Sequence, residues 1–368
     1  MYNKEKANKL KNRIQKKAAK KFLYNPFLLL QWPTGFGKAK GVIDCIRADF
    51  EDKNNFIPYT IVVPEIAQIN NYKKEIETWA PELLKQGAIK DIICYASLNK
   101  LKNKRTNLVL NEVQHLSEKR ASIVPTINYK KIIADTATLP EDVEERLYSI
   151  ECFFSCAITL NEAVKMGVIP PSTITVVYIE NFDSEKIKEI NNKMRKVITS
   201  KYNPYRSKEI TMKSLGAKRK RIIAEEKTPH ILSLLEKGEK RERTLVFCGS
   251  IDQCNDISKE NSIHSKKTKK QNNEIIEKFN NEEINTLVTN KMGQERLNLT
   301  KVDKVIITQL STGKDKALEL IQKIGRGLRK AHTKIYILSL MDKTDLKNVQ
   351  GQTKHFNMPL TYKYIDEL

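Results

Sequence analysis

The chain has 368 residues, of which 40% are hydrophobic and 7% aromatic, a composition that excludes a wholly disordered protein. At about 100–200 residues per domain, the length predicts two domains. Lysine and arginine outnumber aspartate and glutamate by 66 to 44, a formal charge of +22. This excess favours a polyanionic partner such as nucleic acid, with a lysine-rich, solvated surface as the alternative.

The first half of the chain alternates short apolar runs with polar stretches of helical periodicity. This alternation predicts parallel strands joined by helices, with both faces of the sheet covered. The same pattern restarts in the second half, so the predicted fold class is α/β with two parallel-sheet lobes. The predicted strands are residues 27–30, 59–63, 92–95, 107–110 and 131–134, and then residues 174–179, 244–248, 284–289, 302–308 and 334–338.

The boundary between the two lobes is predicted at the consecutive prolines Pro170 and Pro171, which cannot continue a helix. We assign residues 1–168 to the first lobe, 172–345 to the second and 346–368 to a C-terminal tail. The polar stretch from 180 to 243 is predicted to be helical.

Two further features bear on compartment and metal content. No apolar run approaches the roughly 20 residues of a membrane span, and no apolar segment follows the basic N-terminus as in a secretory signal. Six cysteines are too few for a disulfide framework, and Cys152 and Cys156 lack a second pair at metal-ligand spacing. We expect a cytoplasmic protein without a membrane partner or a protein-held metal, of a kind that a phage or mobile element could encode, with these two cysteines buried.

The strongest local signal is a glycine-rich turn that follows the first apolar run. Gly35 and Gly37 allow the positive φ with which backbone N–H groups converge on an anion, and Lys38 adds a cation where a helix begins. The strict phosphate-loop pattern ends in Gly-Lys-Ser/Thr and begins with glycine. Trp32 and Ala39 depart from it, so a chance Gly-Lys turn is the alternative.

Further motifs follow in a fixed order along almost the whole chain. In order they are Arg13-Ile14-Gln15, Pro33-Thr34-Gly35-Phe36-Gly37-Lys38, Ile61-Val62-Val63-Pro64, Cys94-Tyr95-Ala96-Ser97-Leu98, Leu110-Asn111-Glu112-Val113-Gln114-His115, Asp135-Thr136-Ala137-Thr138, Leu245-Val246-Phe247-Cys248, Glu295-Arg296-Leu297-Asn298-Leu299 and Gln322-Lys323-Ile324-Gly325-Arg326-Gly327-Leu328-Arg329. This series resembles superfamily 2 helicases, the DEAD/DEAH-like group that includes many phage and restriction-enzyme helicases.

The resemblance implies two RecA-like lobes with a cleft that binds ATP and Mg²⁺. It places Gln15 at the adenine, and Glu112 at the attacking water. The residues implied around the phosphates and the metal are Thr34, Gly35, Gly37, Lys38, Ala39 and Asn111. From the second lobe it implies Gln322, Arg326 and Arg329, of which the two arginines would face the nucleotide.

Two departures from the family pattern affect the same ion. Ala39 replaces the hydroxyl ligand of Mg²⁺, and Asn111 replaces the carboxylate that organises the Mg²⁺ shell. Loss of a carboxylate about 4 Å from a cation removes roughly 4 kcal/mol per unit-charge pair at an effective dielectric constant of about 20. Gln114 replaces the usual His or Asp, and Arg296 replaces a glycine. Magnesium is therefore expected to be held weakly, if at all.

Three functions remain open at this stage. The first is an ATP-dependent helicase or translocase with weakened hydrolysis, and the second is a pseudo-helicase that binds nucleic acid without turnover. The third is a protein-binding adaptor on the same scaffold. The nucleic acid, DNA in preference to RNA, would be contacted through its phosphates near Pro64, Ser97 and Thr289. Trp32 could pack in the core or stack on a base.

Overall fold

The computed structural model describes residues 2–52, 56–200, 205–239, 241–290, 299, 301–310, 333–353 and 360–368. The chain divides into two compact units, Met1–Pro170 and Pro171–Leu368. Each unit has its own parallel sheet and its own hydrophobic core.

The first unit builds a six-stranded sheet in the order β3-β2-β4-β5-β1-β6, and all described pairings are parallel. Its strands are β1 (Phe27–Gln31), β2 (Tyr59–Val63), β3 (Ile89–Cys94), β4 (Asn107–Leu110), β5 (Ile132–Thr136) and β6 (Phe154–Ala157). Its helices are α1 (Lys4–Tyr24), α2 (Lys38–Asp52), α3 (Ile66–Trp79), α4 (Pro81–Lys85), α5 (Glu118–Ala121), α6 (Glu141–Ile150) and α7 (Leu160–Lys165), with 3-10 turns at Tyr95–Leu101, Val113–His115 and Val124–Thr126.

The strands of the first unit are apolar because the sheet is covered on both faces. β2, β4 and β5 are buried at every position. β5 lies between β4 and β1, so the carboxyl ends of these three strands meet at one edge of the sheet. Ligands of open α/β sheets bind outside the carboxyl ends of the strands, so a functional site is expected at this edge.

The second unit builds a seven-stranded sheet in the order β13-β7-β12-β11-β8-β10-β9, again with parallel pairings. Its strands are β7 (Thr173–Ile179), β8 (Thr244–Phe247), β9 (Ser262–Ile263), β10 (Thr286–Thr289), β11 (Lys304–Ile307), β12 (Lys334–Leu340) and β13 (Leu360–Tyr364). Its helices are α8 (Ser184–Thr199), α9 (Tyr205–Glu236), α10 (Ile251–Ser258), α11 (Lys269–Asn280) and α12 (Lys343–Thr353), with a 3-10 turn at Ile365–Glu367.

The predicted fold class is confirmed, and each predicted strand has a counterpart in the two sheets. The segment 346–368, expected to be a tail, instead contributes most of α12 and the edge strand β13, which pairs with β7. The strand β6 was not predicted, because it lies at a sheet edge and its four residues are only half-buried or exposed. Within it Cys156 is half-buried, and the preceding Cys152 is exposed, so the expectation of two buried cysteines is wrong.

None of the described helices combines the length and the apolar character that a membrane span requires.

A buried ion pair ties α9 to the sheet of the second unit. The Lys227 ammonium is fully buried and lies 2.7 Å from a carboxylate oxygen of Asp345 in α12. It also donates to the backbone oxygens of Thr308 and Leu338, each at 2.8 Å, so all three of its donors are used. Burial lowers the pKa of Lys227, and the neighbouring Asp345 carboxylate opposes that shift. The pair therefore fixes α9 across the ends of β11 and β12.

We predict that Lys227→Met destabilises the protein by about 3–5 kcal/mol, because it leaves the Asp345 carboxylate buried without a counter-charge. Combining it with Asp345→Asn should recover part of this loss, since the amide oxygen still accepts from Leu340 N–H. Melting temperatures of the variants measure the effect. Lys213→Met removes an exposed i,i+4 pair and is the control. If Lys227→Met melts no lower than this control, the pair does not hold α9 in place.

Candidate functional site

The glycine-rich turn forms a loop between β1 and α2. The backbone N–H of Trp32 donates to the backbone carbonyl of Thr136 at 3.1 Å, which connects the start of the loop to the end of β5. Gly35 and Gly37 adopt φ values of +85° and +93°, as the sequence predicted, and α2 begins at Lys38. The glycine-rich loop therefore leads directly into the N-terminus of α2. A loop of this kind followed by a helix N-terminus directs backbone N–H groups toward an anion and is a common phosphate-binding geometry.

Trp32 is a core residue. Its ring is buried, lies 5.0 Å from the Phe36 ring, and packs against Gly41 in the first turn of α2. A Cβ placed on Gly41 would lie 2.3 Å from a ring carbon of Trp32, so only glycine leaves room for the indole. Of the two alternatives left open by the sequence, the structure favours packing over stacking on a base.

The helix α1 holds the loop from the other side. The Lys11 ammonium donates to the Gly35 carbonyl at 2.8 Å, and Gln15 Nε2 donates to the Gly37 carbonyl at 3.1 Å. Burial lowers the pKa of Lys11. Gln15 itself is buried, and among the described residues no donor forms a hydrogen bond with its Oε1 atom. The amide donor of Gln15 thus supports the loop.

Lys38 and Glu112 form an ion pair at the carboxyl edge of the sheet in the first unit. Lys38 Nζ lies 3.5 Å from Glu112 Oε1, and both side chains are partly shielded from water. Glu112 takes a left-handed backbone conformation with φ of +47°, which is uncommon for a residue other than glycine. This conformation directly follows β4, where the chain turns into the 3-10 segment. Gln114 Nε2 donates to the second carboxylate oxygen, Glu112 Oε2, at 3.1 Å.

A second carboxylate lies immediately behind Asn111. Asp135, in β5, is fully buried, and Asn111 Nδ2 donates to its two oxygens at 3.1 Å and 3.0 Å. Burial, together with the nearby Glu112 charge, raises the pKa of Asp135 to about 7, against the opposing effects of Lys38 and of hydrogen bonds from Asn111 and the Glu112 backbone. Asp135 is therefore an acidic group placed at the carboxyl edge of the sheet at a considerable desolvation cost.

The Thr136 hydroxyl links this edge to the turn after β4. It lies 2.7 Å from Gln114 Oε1 and accepts from the Thr138 N–H at 3.1 Å. Gln114, in turn, contacts Glu112, so the segment after β5 and the segment after β4 form one hydrogen-bonded unit.

The charges at this edge suit a metal ion that arrives with phosphate groups. Among the described residues no group of three or more His, Cys, Asp or Glu could cage a metal. Lys38 and Glu112 offset each other in charge, and Asp135, with a pKa of about 7, adds a partial negative charge, which opposes a bare polyphosphate and favours one neutralised by a divalent cation. Magnesium is typically bound by one or two carboxylates together with substrate phosphates, so the donor set fits it.

The remaining predicted residues are placed as follows. Thr34 and Ala39 lie in the loop and at the start of α2, where both are partly exposed. Pro64 follows β2 and Ser97 lies in the turn after β3, both partly exposed. Thr289 ends β10, but its side chain is buried and its hydroxyl donates to the Asn290 carbonyl, so it is unavailable to a ligand. Arg296, Gln322, Arg326 and Arg329 lie outside the described residues.

Sequence reasoning missed three residues of this site. Asp135 was quoted only as the residue before Thr136, although an acid inside an apolar run (Ile-Ile-Ala-Asp) is itself a signal. Lys11 lies four residues before Gln15, hence on the same helix face, but its contact with the loop depends on tertiary packing. Gly41 is an unusual residue in the first turn of a helix, and its reason is the Trp32 ring.

Comparisons with known proteins agree with this architecture. Residues 226–331 match the helicase conserved C-terminal domain. The helicase domain of Hef from Pyrococcus furiosus has a similar structure at 12% identity, with a TM-score of 0.59 over 93% of this chain and 97% of that one. S. cerevisiae Dbp5 bound to RNA and ADP BeF3 is similar at 14% identity, with a TM-score of 0.64 over 96% of this chain and 90% of that one.

No curated protein matches the chain in sequence. The two parallel-sheet units have the RecA-like α/β fold of the lobes in these helicase structures. The domain match thus covers part of the second unit, and the similarity of the whole chain to the helicase structures is one of fold.

We predict that Gly41→Ala destabilises the first unit by about 1–3 kcal/mol, because the added methyl group overlaps the rigid Trp32 ring. Combining it with Trp32→Leu should cost less than the sum of the two single changes, since the smaller side chain frees the space. Melting temperatures of the four proteins in this cycle measure the coupling. Strict additivity would mean that the two residues do not compete for the same volume.

Proposed function

We propose that this protein is a nucleic-acid-dependent ATPase of the helicase type, with slow hydrolysis. The observation that carries the proposal is the convergence of the glycine-rich loop, Lys38 and Glu112 at the carboxyl edge of one parallel sheet. A charged residue of each sign beside a helix N-terminus serves phosphate binding and water activation, the two requirements of phosphoryl transfer.

Each group has a chemical task in this proposal. The backbone N–H groups of the loop and the Lys38 ammonium bind the phosphates, and Lys11 and Gln15 hold the loop in position. Glu112 orients the attacking water, and the Gln114 amide fixes one of its oxygens. Magnesium, bound beside Asn111, would neutralise the phosphate charge. Arg326 and Arg329 remain the candidates for stabilising the transferred phosphoryl group.

Slow hydrolysis is the expected consequence of Ala39. This residue is placed at the start of α2, where a hydroxyl would reach a metal bound to the phosphates, and its methyl group offers no ligand. The same substitution is the specific observation that favours the second candidate, a pseudo-helicase that binds nucleotide and nucleic acid without turnover. The two candidates differ in hydrolysis alone, so an ATPase assay separates them.

Nucleic-acid binding is supported by the positive charge of the chain and by an exposed basic face on α1. This face carries five cationic side chains at helical spacing: Lys9, Arg13, Lys16, Lys17 and Lys20. Exposed lysines and arginines at such spacing bind phosphates without reading bases. We propose that α1 contributes phosphate contacts in addition to the loops after β2 and β3.

We predict that Lys38→Ala abolishes the thermal stabilisation that Mg-ATP gives the wild-type protein. At about a hundredfold excess of ligand over Kd, that stabilisation amounts to about 2.7 kcal/mol. Lys40→Ala is the matched control, because Lys40 pairs with Asp44 within α2 instead of with Glu112 and should leave the shift intact. A wild-type protein that Mg-ATP does not stabilise would contradict the proposal of nucleotide binding.

We predict that Ala39→Thr raises nucleic-acid-stimulated ATP hydrolysis about tenfold, which corresponds to about 1.4 kcal/mol in the barrier. The added hydroxyl supplies the missing ligand, whereas the isosteric Ala39→Val adds the same volume without an oxygen and should hydrolyse at the wild-type rate. Steady-state phosphate release with and without single- or double-stranded DNA or RNA measures both. Equal rates for the Thr and Val variants would place the defect elsewhere.

We predict that nucleic-acid affinity falls about 10³-fold between about 50 and 200 mM salt, as expected for about six neutralised phosphates. Removing two charges of the α1 face with Lys16→Ala and Lys20→Ala should lower the salt slope by about two. Lys188→Ala with Lys193→Ala removes the same charge from α8, where both lysines pair with glutamates, and should change the slope little.

Fluorescence anisotropy with labelled single strands measures these slopes. A binding constant that does not vary with salt, or no binding at the lower salt concentration, would favour a protein-binding adaptor over a nucleic-acid-binding protein.

A further inference from the structure

Asp135 has no task in the proposed function, yet it is a fully buried carboxylate at the edge of the sheet where the phosphate-binding groups converge. Within the described residues its close partners are hydrogen-bond donors, Asn111 Nδ2 and the Glu112 N–H, and the nearest cation to influence it is Lys38. A neutral asparagine at this position would accept hydrogen bonds through its single oxygen and avoid the desolvation cost of a charge. The charge itself therefore calls for an explanation.

The positions of Asp135 and Asn111 in the sheet supply one. β4 and β5 are adjacent, with Leu110 opposite Ala134, so Asn111 and Asp135 each follow a paired position on neighbouring strands. The side chains meet directly, at 3.0 Å between Asn111 Nδ2 and one Asp135 oxygen. The family pattern places a metal-organising carboxylate at position 111. In this chain the carboxylate belongs to Asp135, which lies directly behind the Asn111 side chain.

The direction of the Asn111 amide follows from this contact. An ionised carboxylate only accepts hydrogen bonds, so it draws the NH₂ group of Asn111 toward itself. The Asn111 Oδ1 atom then faces away from Asp135, and no hydrogen bond to it occurs within the described part of the chain. The amide dipole is thereby aligned with its negative end outward, so that Asn111 presents an oxygen to a cation and Asp135 supplies the charge behind it.

We propose that Asp135, acting through Asn111, carries the negative charge that holds the divalent cation of a bound nucleotide. The metal-organising carboxylate of this chain is then on β5, and Asn111 relays its effect as a neutral oxygen ligand or as an acceptor for a metal-bound water. Asp135 is a positioning residue, since it touches the amide and not the nucleotide. The inference rests on the proposed nucleotide binding.

The experiment that tests this inference measures how strongly nucleotide affinity depends on the metal. A fluorescent ATP analogue is titrated into the protein in Mg²⁺ and, separately, in excess EDTA, and the ratio of the two dissociation constants is compared among variants. This ratio reports the metal alone, because a purely structural loss would weaken binding under both conditions. Melting temperatures without ligand check that each variant is folded.

Four proteins distinguish the outcomes. The wild type should bind at least about tenfold more tightly in Mg²⁺ than in EDTA, and Asp135→Asn should reduce this advantage to about twofold or less. The exchange Asn111→Asp with Asp135→Asn, which moves the charge to β4, should restore the advantage. Asp49→Asn is the matched control: it also neutralises a buried carboxylate of this unit, but one whose partners are Tyr59 and Lys131, and it should keep the wild-type ratio.

The inference is overturned if Asp135→Asn keeps the wild-type metal dependence, or if wild-type binding is equal in Mg²⁺ and EDTA. In both cases nucleotide binding, and with it the proposed function, stands. It is also overturned if the exchanged double variant folds and binds nucleotide in EDTA but gains nothing from Mg²⁺. If the wild type binds no nucleotide under either condition, the proposed function fails and the inference falls with it.

Discussion

The parallel pairing of β4, β5 and β1 is the constraint on which the candidate site depends. Because these strands are adjacent and run in the same direction, the turn that follows each of them lies at one edge of the sheet. The glycine-rich loop, Asp135 and Asn111 are more than twenty residues apart in the chain, and only this pairing brings them into contact. The pairing of Lys38 with Glu112 and the raised pKa of Asp135 both depend on that edge.

Much of the fold could be predicted from the sequence, because a parallel strand that is buried on both faces of the sheet consists of consecutive apolar residues. β2 and β4 coincide with their predicted bounds, since every residue in them is buried and the flanking residues are polar or proline. β6 and β13 escaped detection for the opposite reason. Both are edge strands whose residues are exposed or only half-buried, so their sequences lack a continuous apolar run, and pairing with the neighbouring strand holds them in place.

The candidate site could be predicted only as far as its residues are local in sequence. Gly35, Gly37 and Lys38 belong to one turn, so their spacing alone indicated the conformation they adopt. The contact of Asp135 with Asn111 joins two strands, and no spacing rule reveals which residues will face each other across them. Sequence reasoning therefore identified the missing charge at Asn111, and the apolar run marks Asp135 as unusual, but only the strand pairing shows that the two side chains meet.

The packing of Trp32 against Gly41 has a consequence for anyone who would transplant this loop. The phosphate-loop pattern begins with a glycine, whereas here that position holds Trp32, and its ring fills the space beside Gly41 in the first turn of α2. A standard loop grafted onto this sheet would leave an unfilled space the size of an indole beneath the helix N-terminus. The glycine-rich loop and the first turn of α2 therefore have to be transferred together, because Trp32 and Gly41 fit only each other.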